Sequence, residues 1–575
     1  MRQFRSLCQS DAPQTGLPDT HSPLLPQNNE LAMNTTQPSR TALQRYALPS
    51  ALLALGVLTL VAILARPLMP IDETRYVGVA WEMWLRGDFL VPFKNGMPYS
   101  HKPPLLMWLF QLGWTVFGVN EWWPRLVSPL ASAVCLVLTG RLARRLWPDR
   151  PDVPAIAVLV LSSCLFWTVF STSAMFDVLL TLPALIGLHG IVDAANGQRR
   201  RGILWLGLAI GLGVLTKGPV ILLHLLPVAL LAPWWRPELD KRRWVLVVVL
   251  ALLLGVALAL AWAVPAGLSG GDAYFRAIFW GQTADRMVES FAHRRPVWWY
   301  LPVLPALFFP WFVWPPLWRA AKTYVKEGFD PGGRMLLAWF VPVLVALSLI
   351  SGKQPHYVIP LFPAFALFAA RALDAKQVRG GFWLPALLVV APAGGLLLFA
   401  HGLIKAPHGW TLTSIDVWPC VVMAILPVVL WLCDRRLSRP IIRVFLLGIA
   451  APLLGQLALA PTVFAGYELR PMARLIRTLQ VKAQPIAILG EYHDQYHFAG
   501  RLEAPIQELD GGAELNAWQQ KHPDGWVIVY AKTETALREG HPVLLQPYRG
   551  HFVALVDARS AVALFRKGNL ESSAP

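Results

Sequence analysis

The sequence predicts a polytopic α-helical membrane protein of about thirteen transmembrane helices, with interfacial helices in its outer loops and a small C-terminal α/β domain. Three observations predict it. Of 575 residues 55% are hydrophobic and 15% charged, and the mean hydropathy of +0.46 is too high for a water-soluble protein of several domains. The apolar residues fall in runs, and the 51 Lys+Arg and 34 Asp+Glu collect between them. Basic connectors then alternate with nearly uncharged ones. A net charge of +17 in one patch would suit nucleic acid; spread along connectors it reports membrane topology, and no nucleic-acid partner is implied. Five cysteines are too few to staple the chain, and Cys135, Cys164, Cys420 and Cys433 lie in or beside apolar runs.

In chain order, residues 1–45 are polar, rich in Pro, Ser, Asn and Gln, and carry no apolar signal-peptide segment. They predict a disordered cytoplasmic head, within which Met33 offers a second start. A transmembrane catalytic domain is expected over 46–465, its apolar stretches at 47–65, 122–142, 153–170, 178–192, 203–215, 220–235, 244–264, 298–318, 336–350, 358–370, 382–400, 417–432 and 444–464. Arg and Lys gather at 141–150, 199–201, 236–243, 319–334, 371–379 and 435–443, which places those connectors in the cytoplasm. The intervening short connectors hold single lysines at Lys217, Lys353 and Lys405. These, the long loops 66–121 and 266–297, and the C-terminal region are expected across the membrane. An odd span number with a cytoplasmic N-terminus agrees.

Within the first long loop, Val77, Ala80, Trp81, Trp84 and Leu85 at helical spacing predict an amphipathic helix over 72–86, suited to the interface. Residues 101–118 are apolar but short for a span. After 464 the composition changes, with strand patterns at 485–489, 526–531, 542–546 and 552–556 and helical patterns at 470–481 and 513–520. They predict an external α/β domain over 466–575. There is no internal repeat, P-loop, GxGxxG unit or zinc-finger spacing.

The strongest chemical signal is Pro70-Ile71-Asp72-Glu73-Thr74-Arg75-Tyr76, just outside the first span. Asp72 follows a break and suits a helix cap. Capping does not account for two adjacent acids followed by Arg75, in a loop that ends Tyr99-Ser100-His101-Lys102-Pro103-Pro104. Ionisable groups at membrane depth are costly and usually functional. Glu73 is the lesser candidate, because neighbours on a helix point in different directions. Asp177, Lys217, Lys353, His356 and Tyr357 fall on the same predicted side, and Arg286, His293, Arg294 and Arg295 lie in the second long loop. A lone lysine at a helix end is as well explained by snorkelling. Several cations around two carboxylates at one membrane face can hold a phosphate headgroup while a carboxylate meets a second substrate. Glu491-Tyr492-His493-Asp494-Gln495-Tyr496-His497 is read as a polar strand-to-helix connection, since no companion ligands follow at metal spacing.

Asp72-Glu73-Thr74-Arg75-Tyr76, the Tyr99–Pro104 run, Leu215-Thr216-Lys217-Gly218-Pro219, and Ser351-Gly352-Lys353-Gln354-Pro355-His356-Tyr357 followed by an apolar span resemble the bacterial aminoarabinose (lipid A) transferase and protein O-mannosyltransferase group of GT-C glycosyltransferases. The resemblance runs from about 47 to 464. It implies a bacterial inner-membrane enzyme with a periplasmic C-terminal domain. Its partners would be a polyprenyl-phosphate-linked sugar donor, a glycolipid or protein acceptor, and membrane lipids. By resemblance Asp72 is the catalytic-loop acid and Asp177 the second acid, with Lys102, Lys217, Arg286, Lys353 and Tyr357 around the donor phosphate and Arg75 a further candidate. The chain departs from the aminoarabinose-transferase pattern at His101, where that pattern has a Glu linked with metal binding. No cofactor is therefore implied, and a divalent metal stays open, with His101, His293 or His356 as candidate ligands.

The chemistry is consistent without the family. Nucleotide sugars are made in the cytoplasm, so an activated sugar at a site facing away from it must arrive on a lipid. A phosphate leaving group needs cations and no general acid. A hydroxyl acceptor would use Asp72 as base in an inverting displacement; an ionised phosphate acceptor would need none. Protein O-glycosylation would use the same site. A flippase for lipid-linked saccharides is the alternative of another class, though transporters favour midplane sites and repeats.

Overall fold

The computed structural model of the protein describes residues 41–281, 294–374, 380–404, 415–433 and 440–571. Its first half contains α1 (Ala42–Ala65), α2 (Asp72–Arg86), α3 (Leu105–Phe117), α4 (Pro124–Leu146), α5 (Val153–Ser163), α6 (Leu165–Phe170), α7 (Phe176–Ala195), α8 (Arg199–Lys217), α9 (Val220–Leu230), α10 (Ala232–Trp235) and α11 (Lys241–Arg276). Then follow α12 (Tyr300–Leu307), α13 (Pro315–Glu327), α14 (Pro331–Leu349), α15 (Phe362–Asp374), α16 (Trp383–Ala400), α17 (Val417–Leu432) and α18 (Pro440–Leu459). Among the described residues eight helices are long and apolar enough to cross a membrane, and five more are apolar but shorter. The fold is a polytopic membrane bundle.

Two of the expected spans are interrupted. The 153–170 stretch breaks at Cys164, which is extended with φ −67° and ψ 130°. The 298–318 stretch stops after Leu307, because Pro310 has no N–H to give and Pro315 starts a new, amphipathic helix. The two breaks satisfy each other: Leu165 N–H donates to the Phe309 carbonyl at 2.8 Å, and Trp311 Nε1–H donates to Ser163 Oγ at 2.9 Å. Backbone freed at membrane depth requires such partners. Gly448 on α18 leaves room, since a Cβ there would lie 2.4 Å from the Ser163 carbonyl.

α7 and α8 form a tight antiparallel hairpin, as small residues permit between membrane helices. A Cβ on Gly190 would fall 2.7 Å from the Leu206 nitrogen, and one on Gly202 2.5 Å from Ala194 Cβ. The start of α7 therefore meets the end of α8. The bundle has two chemically different ends. At one, Arg145 and Arg201 pair with Asp193, and Arg150 with Asp374. There Asp330 Oδ1 accepts from Trp147 Nε1 (3.0 Å), Tyr324 Oη (3.0 Å) and Gly333 N (2.8 Å), while Oδ2 pairs with Arg371 Nε (2.8 Å). All of these groups except Asp193, near the end of α7, come from the basic connectors. At the other end lie Arg66, Glu73, Asp177 and Lys217.

The first loop carries α2, with the bounds the sequence predicts, and a hairpin of β1 (Phe93–Lys94) and β2 (Met97–Pro98). Asp72 does not cap α2; it is the first helical residue, after Ile71. Beyond α18 come α19 (Arg470–Val481), β3 (Ile486–Leu489), α20 (His497–Gly500), β4 (Gln507–Leu509), α21 (Gly511–Lys521), β5 (Trp526–Ala531), α22 (Glu534–Arg538), β6 (Leu544–Tyr548), β7 (His551–Asp557) and α23 (Ala558–Arg566). The sheet order is β4-β3-β5-β7-β6, with β3 parallel to β4 and β5 and the remaining pairs antiparallel. Alternate residues of β5 feed the cores on its two faces, Ile528 and Tyr530 on one and Val527 and Val529 on the other.

This α/β unit is docked on the first loop. Trp81 Nε1–H donates to the Leu502 carbonyl at 2.9 Å, Asn95 exchanges two 2.8 Å hydrogen bonds with Ile506, and Phe498 stacks on Trp114.

Burial opposes the Asp330 charge, but the hydrogen bonds from Gly333, Trp147 and Tyr324 and the charge of Arg371 hold its carboxyl below the usual range. A depressed folded pKa makes this contribution present above the unfolded value, roughly pH 4, and lost as pH falls through the folded one. Asp330→Ala removes the acceptor of four donors and should cost about 3 kcal/mol. A detergent thermal melt checks this, with Asp330→Asn expected to lose less.

Candidate active site

The site is assembled where α2 begins, α7 begins, α8 ends and the 351–357 segment passes. Glu73 is buried and fully engaged: its carboxylate accepts from Met69 N (2.8 Å) and Ala174 N (2.6 Å) and lies 3.4 Å from Arg66. Arg66 in turn donates to the Thr172 carbonyl at 2.7 Å. Glu73 thus ties the first loop to the α6–α7 connection. Its neighbour on the helix points elsewhere. The Asp72 side chain, 42% exposed, accepts from Arg75 (3.1 Å) and from Tyr76 Oη (3.0 Å). Burial pushes the Tyr76 phenol well up, so it stays a donor to Asp72. For Arg75 burial opposes the charge, but Tyr99, Asp72 and Tyr76 outweigh it and raise the pKa, leaving a fixed cation.

Asp177, 2% exposed in the first turn of α7, receives Lys217 Nζ at 2.5 Å. That ammonium also lies 4.7 Å from the centre of the Tyr357 ring. His356 stands edge-on to Tyr357, and it lies within electrostatic reach of Asp177, Lys217, Asp72 and Lys102. Asp177 likewise feels Lys217, His356 and Lys102. The fold therefore brings Asp72, Arg75, Lys102, Asp177, Lys217, His356 and Tyr357 together.

Lys353 is placed differently from expectation. Its buried ammonium donates to the Arg295 carbonyl (3.0 Å) and the Ile350 carbonyl (2.5 Å), beside a bridge between Arg294 and Gly352. It staples the returning second loop to the segment that carries His356 and Tyr357. Arg286 and His293 lie outside the described residues. Sequence reasoning quoted Tyr76 without assigning it; its position four residues after Asp72 on one helix face was the available signal. His101 lies against Tyr99 with ring centres 5.2 Å apart and planes tilted by 38°, and neither it nor His356 joins a group of three potential metal ligands among the described residues.

The fold is that of a GT-C glycosyltransferase. The crystal structure of ArnT from Cupriavidus metallidurans bound to undecaprenyl phosphate superposes with a TM-score of 0.68 at 23% identity, over 89% of this chain and 97% of that one. Residues 101–262 match the family model for dolichyl-phosphate-mannose-protein mannosyltransferase. The undecaprenyl phosphate-alpha-4-amino-4-deoxy-L-arabinose arabinosyl transferase 1 of Pseudomonas fluorescens Pf-5 is 30% identical over 519 residues, 86% of this chain and 87% of its own. The chain belongs to that arabinosyl transferase family. Arabinosyl transferase 2 of the same strain is 33% identical over 377 residues, so the match spans 62% of that relative's length.

Removing one partner of a buried ion pair leaves the other charge unpaired. Asp177→Ala and Lys217→Ala should each destabilise by roughly 3 kcal/mol, and the double variant by less than the sum. Asp72→Asn, at a half-exposed position, should leave the melting temperature within about a degree. Detergent melts of the four variants check both statements.

Proposed function

We propose that this protein transfers 4-amino-4-deoxy-L-arabinose from an undecaprenyl phosphate carrier to lipid A or a related envelope glycolipid, at the periplasmic face of a bacterial inner membrane. One observation carries the reading: Asp72, Lys102, Asp177, Lys217 and His356 converge at the bundle end opposite the basic connectors. Membership of the arabinosyl transferase family supports the sugar and the carrier.

The chemistry follows from the residues. Lys102, Lys217 and Arg75 offset the charge of the carrier phosphate, which departs with the electrons of the broken C1–O bond. Asp177 fixes the Lys217 ammonium, and Tyr357 packs beneath it. The acceptor oxygen forms the new bond from the opposite face, inverting C1. With a hydroxyl acceptor its proton passes to Asp72. With an ionised phosphate acceptor Asp72 instead stabilises positive charge growing on the sugar ring. Lys353 supports the reaction from behind, by holding the 351–357 segment against the second loop.

A protein acceptor is the second reading, favoured by the match of residues 101–262 to the mannosyltransferase model. Mass spectrometry of envelope lipids and glycoproteins from a deletion strain separates the two. Loss of a pentosamine-sized adduct from lipid A supports the first reading, loss from glycoproteins supports the second, and a change in neither fraction overturns both. Complementation with Asp72→Asn should restore at most about one hundredth of the wild-type transfer rate.

Orientation has its own test. In a chain whose native cysteines are replaced, Asp524→Cys, on an exposed turn of the α/β unit, should react with a membrane-impermeant maleimide in intact spheroplasts. Gln198→Cys, in a basic connector, should react only after permeabilisation.

A further inference from the structure

The 491–497 segment is the strand-to-helix connection that the sequence predicts, running from β3 to α20. Its companions, however, are supplied from elsewhere in the chain. Asp494 is 0% exposed, and neither of its carboxylate oxygens has a hydrogen-bond partner. An unpartnered buried carboxylate costs several kcal/mol. It faces α2, where Glu82 is buried and Gly78, one turn earlier, clears the way; a Cβ on Gly78 would lie 3.1 Å from Asp494 Cβ. His497, also buried, completes the group: Nε2 is 3.6 Å from Glu82 Oε1 and Nδ1 is 3.6 Å from Asp494 Oδ1. One potential ligand atom from each residue lies within 4.8 Å of the other two.

Other contacts hold these groups in place. The Tyr492 hydroxyl, 2.8 Å from His497 Nδ1, fixes the imidazole and leaves Nε2 turned toward Glu82, as outer partners of metal-binding histidines do. Gly96 N–H donates to both Glu82 oxygens, at 3.0 and 3.1 Å, which leaves further lone pairs free.

We propose that Glu82, Asp494 and His497 bind one divalent transition-metal ion, of the zinc class, which clamps the C-terminal α/β unit onto the helix that begins with Asp72. One imidazole with two carboxylates is a zinc-type donor set, whereas calcium and magnesium take oxygen alone. Glu82 stands ten residues along α2 from Asp72, roughly 15 Å by helical rise, so the ion is structural and separate from the site of sugar transfer. The assignment does not rest on the proposed reaction.

Full-length protein purified in detergent and washed with a weak chelator should retain one zinc per chain by inductively coupled plasma mass spectrometry. Asp494→Asn and His497→Gln should lose it, while His101→Ala and His356→Ala should keep it. Stripping the wild type with a strong chelator should lower its melting temperature, zinc should restore it, and Asp494→Asn should respond to neither. Metal content that survives Asp494→Asn and His497→Gln, or that follows His101, overturns the proposal. Should both variants fail to fold, zinc titration of the stripped wild type decides, and absence of stoichiometric binding overturns it.

Discussion

The arrangement depends on pairing charge at the hydrocarbon boundary. Asp177 and Lys217 sit on neighbouring helices at 2% and 15% side-chain exposure, where a lone charge of either sign would be prohibitive. Their contact determines how far α7 and α8 can slide past each other, and the glycine-lined seam between them makes the close approach possible. Arg66 and Glu73 apply the same constraint a few residues away, joining the first loop to the α6–α7 connection. With both pairs in place, the half-exposed Asp72 is left at the edge of the cationic cluster.

The bundle separates its chemistry by end. Ion pairs among Arg145, Arg150, Arg201, Asp193, Asp330, Arg371 and Asp374 lock the connectors at one face. The opposite face carries the cations and acids suited to a lipid phosphate. α7, at 20 residues, runs from one face to the other and fits a hydrocarbon core about 30 Å thick. α2 is held from two sides, by the bundle through Glu73 and by the α/β unit through Trp81, Glu82 and the first-loop hairpin. The loop that carries the proposed acid Asp72 would need such support, because misplacement of a reacting group by an ångström is expensive in rate.

Much of this was legible in the chain. α2, α17, α19 and β5 have the bounds that periodicity predicts, since apolar spacing reports directly on which face is buried. β4 and α23 were missed; a three-residue strand offers little pattern, and the sequence reading did not resolve the amphipathic stretch after β7. Asp72, Asp177 and Lys217 were legible as costly charges beside apolar runs. Lys353 looked equivalent to Lys217 by that criterion, yet its ammonium serves two backbone carbonyls. Position along a chain does not tell which way a long flexible side chain turns.

The sequence alone determined the membrane class, the alternation of connectors, the amphipathic loop helix and the residue types gathered in the candidate site, because hydropathy and charge are properties of each segment by itself. Only the tertiary structure decided which acid is bound to which base, that Glu73 is a tether while Asp72 stays open, that two predicted spans break and pair their freed backbone, and that Glu82 meets Asp494 and His497. Those outcomes depend on distances between residues far apart in sequence. They are settled by packing and by the cost of leaving a buried polar group without a partner.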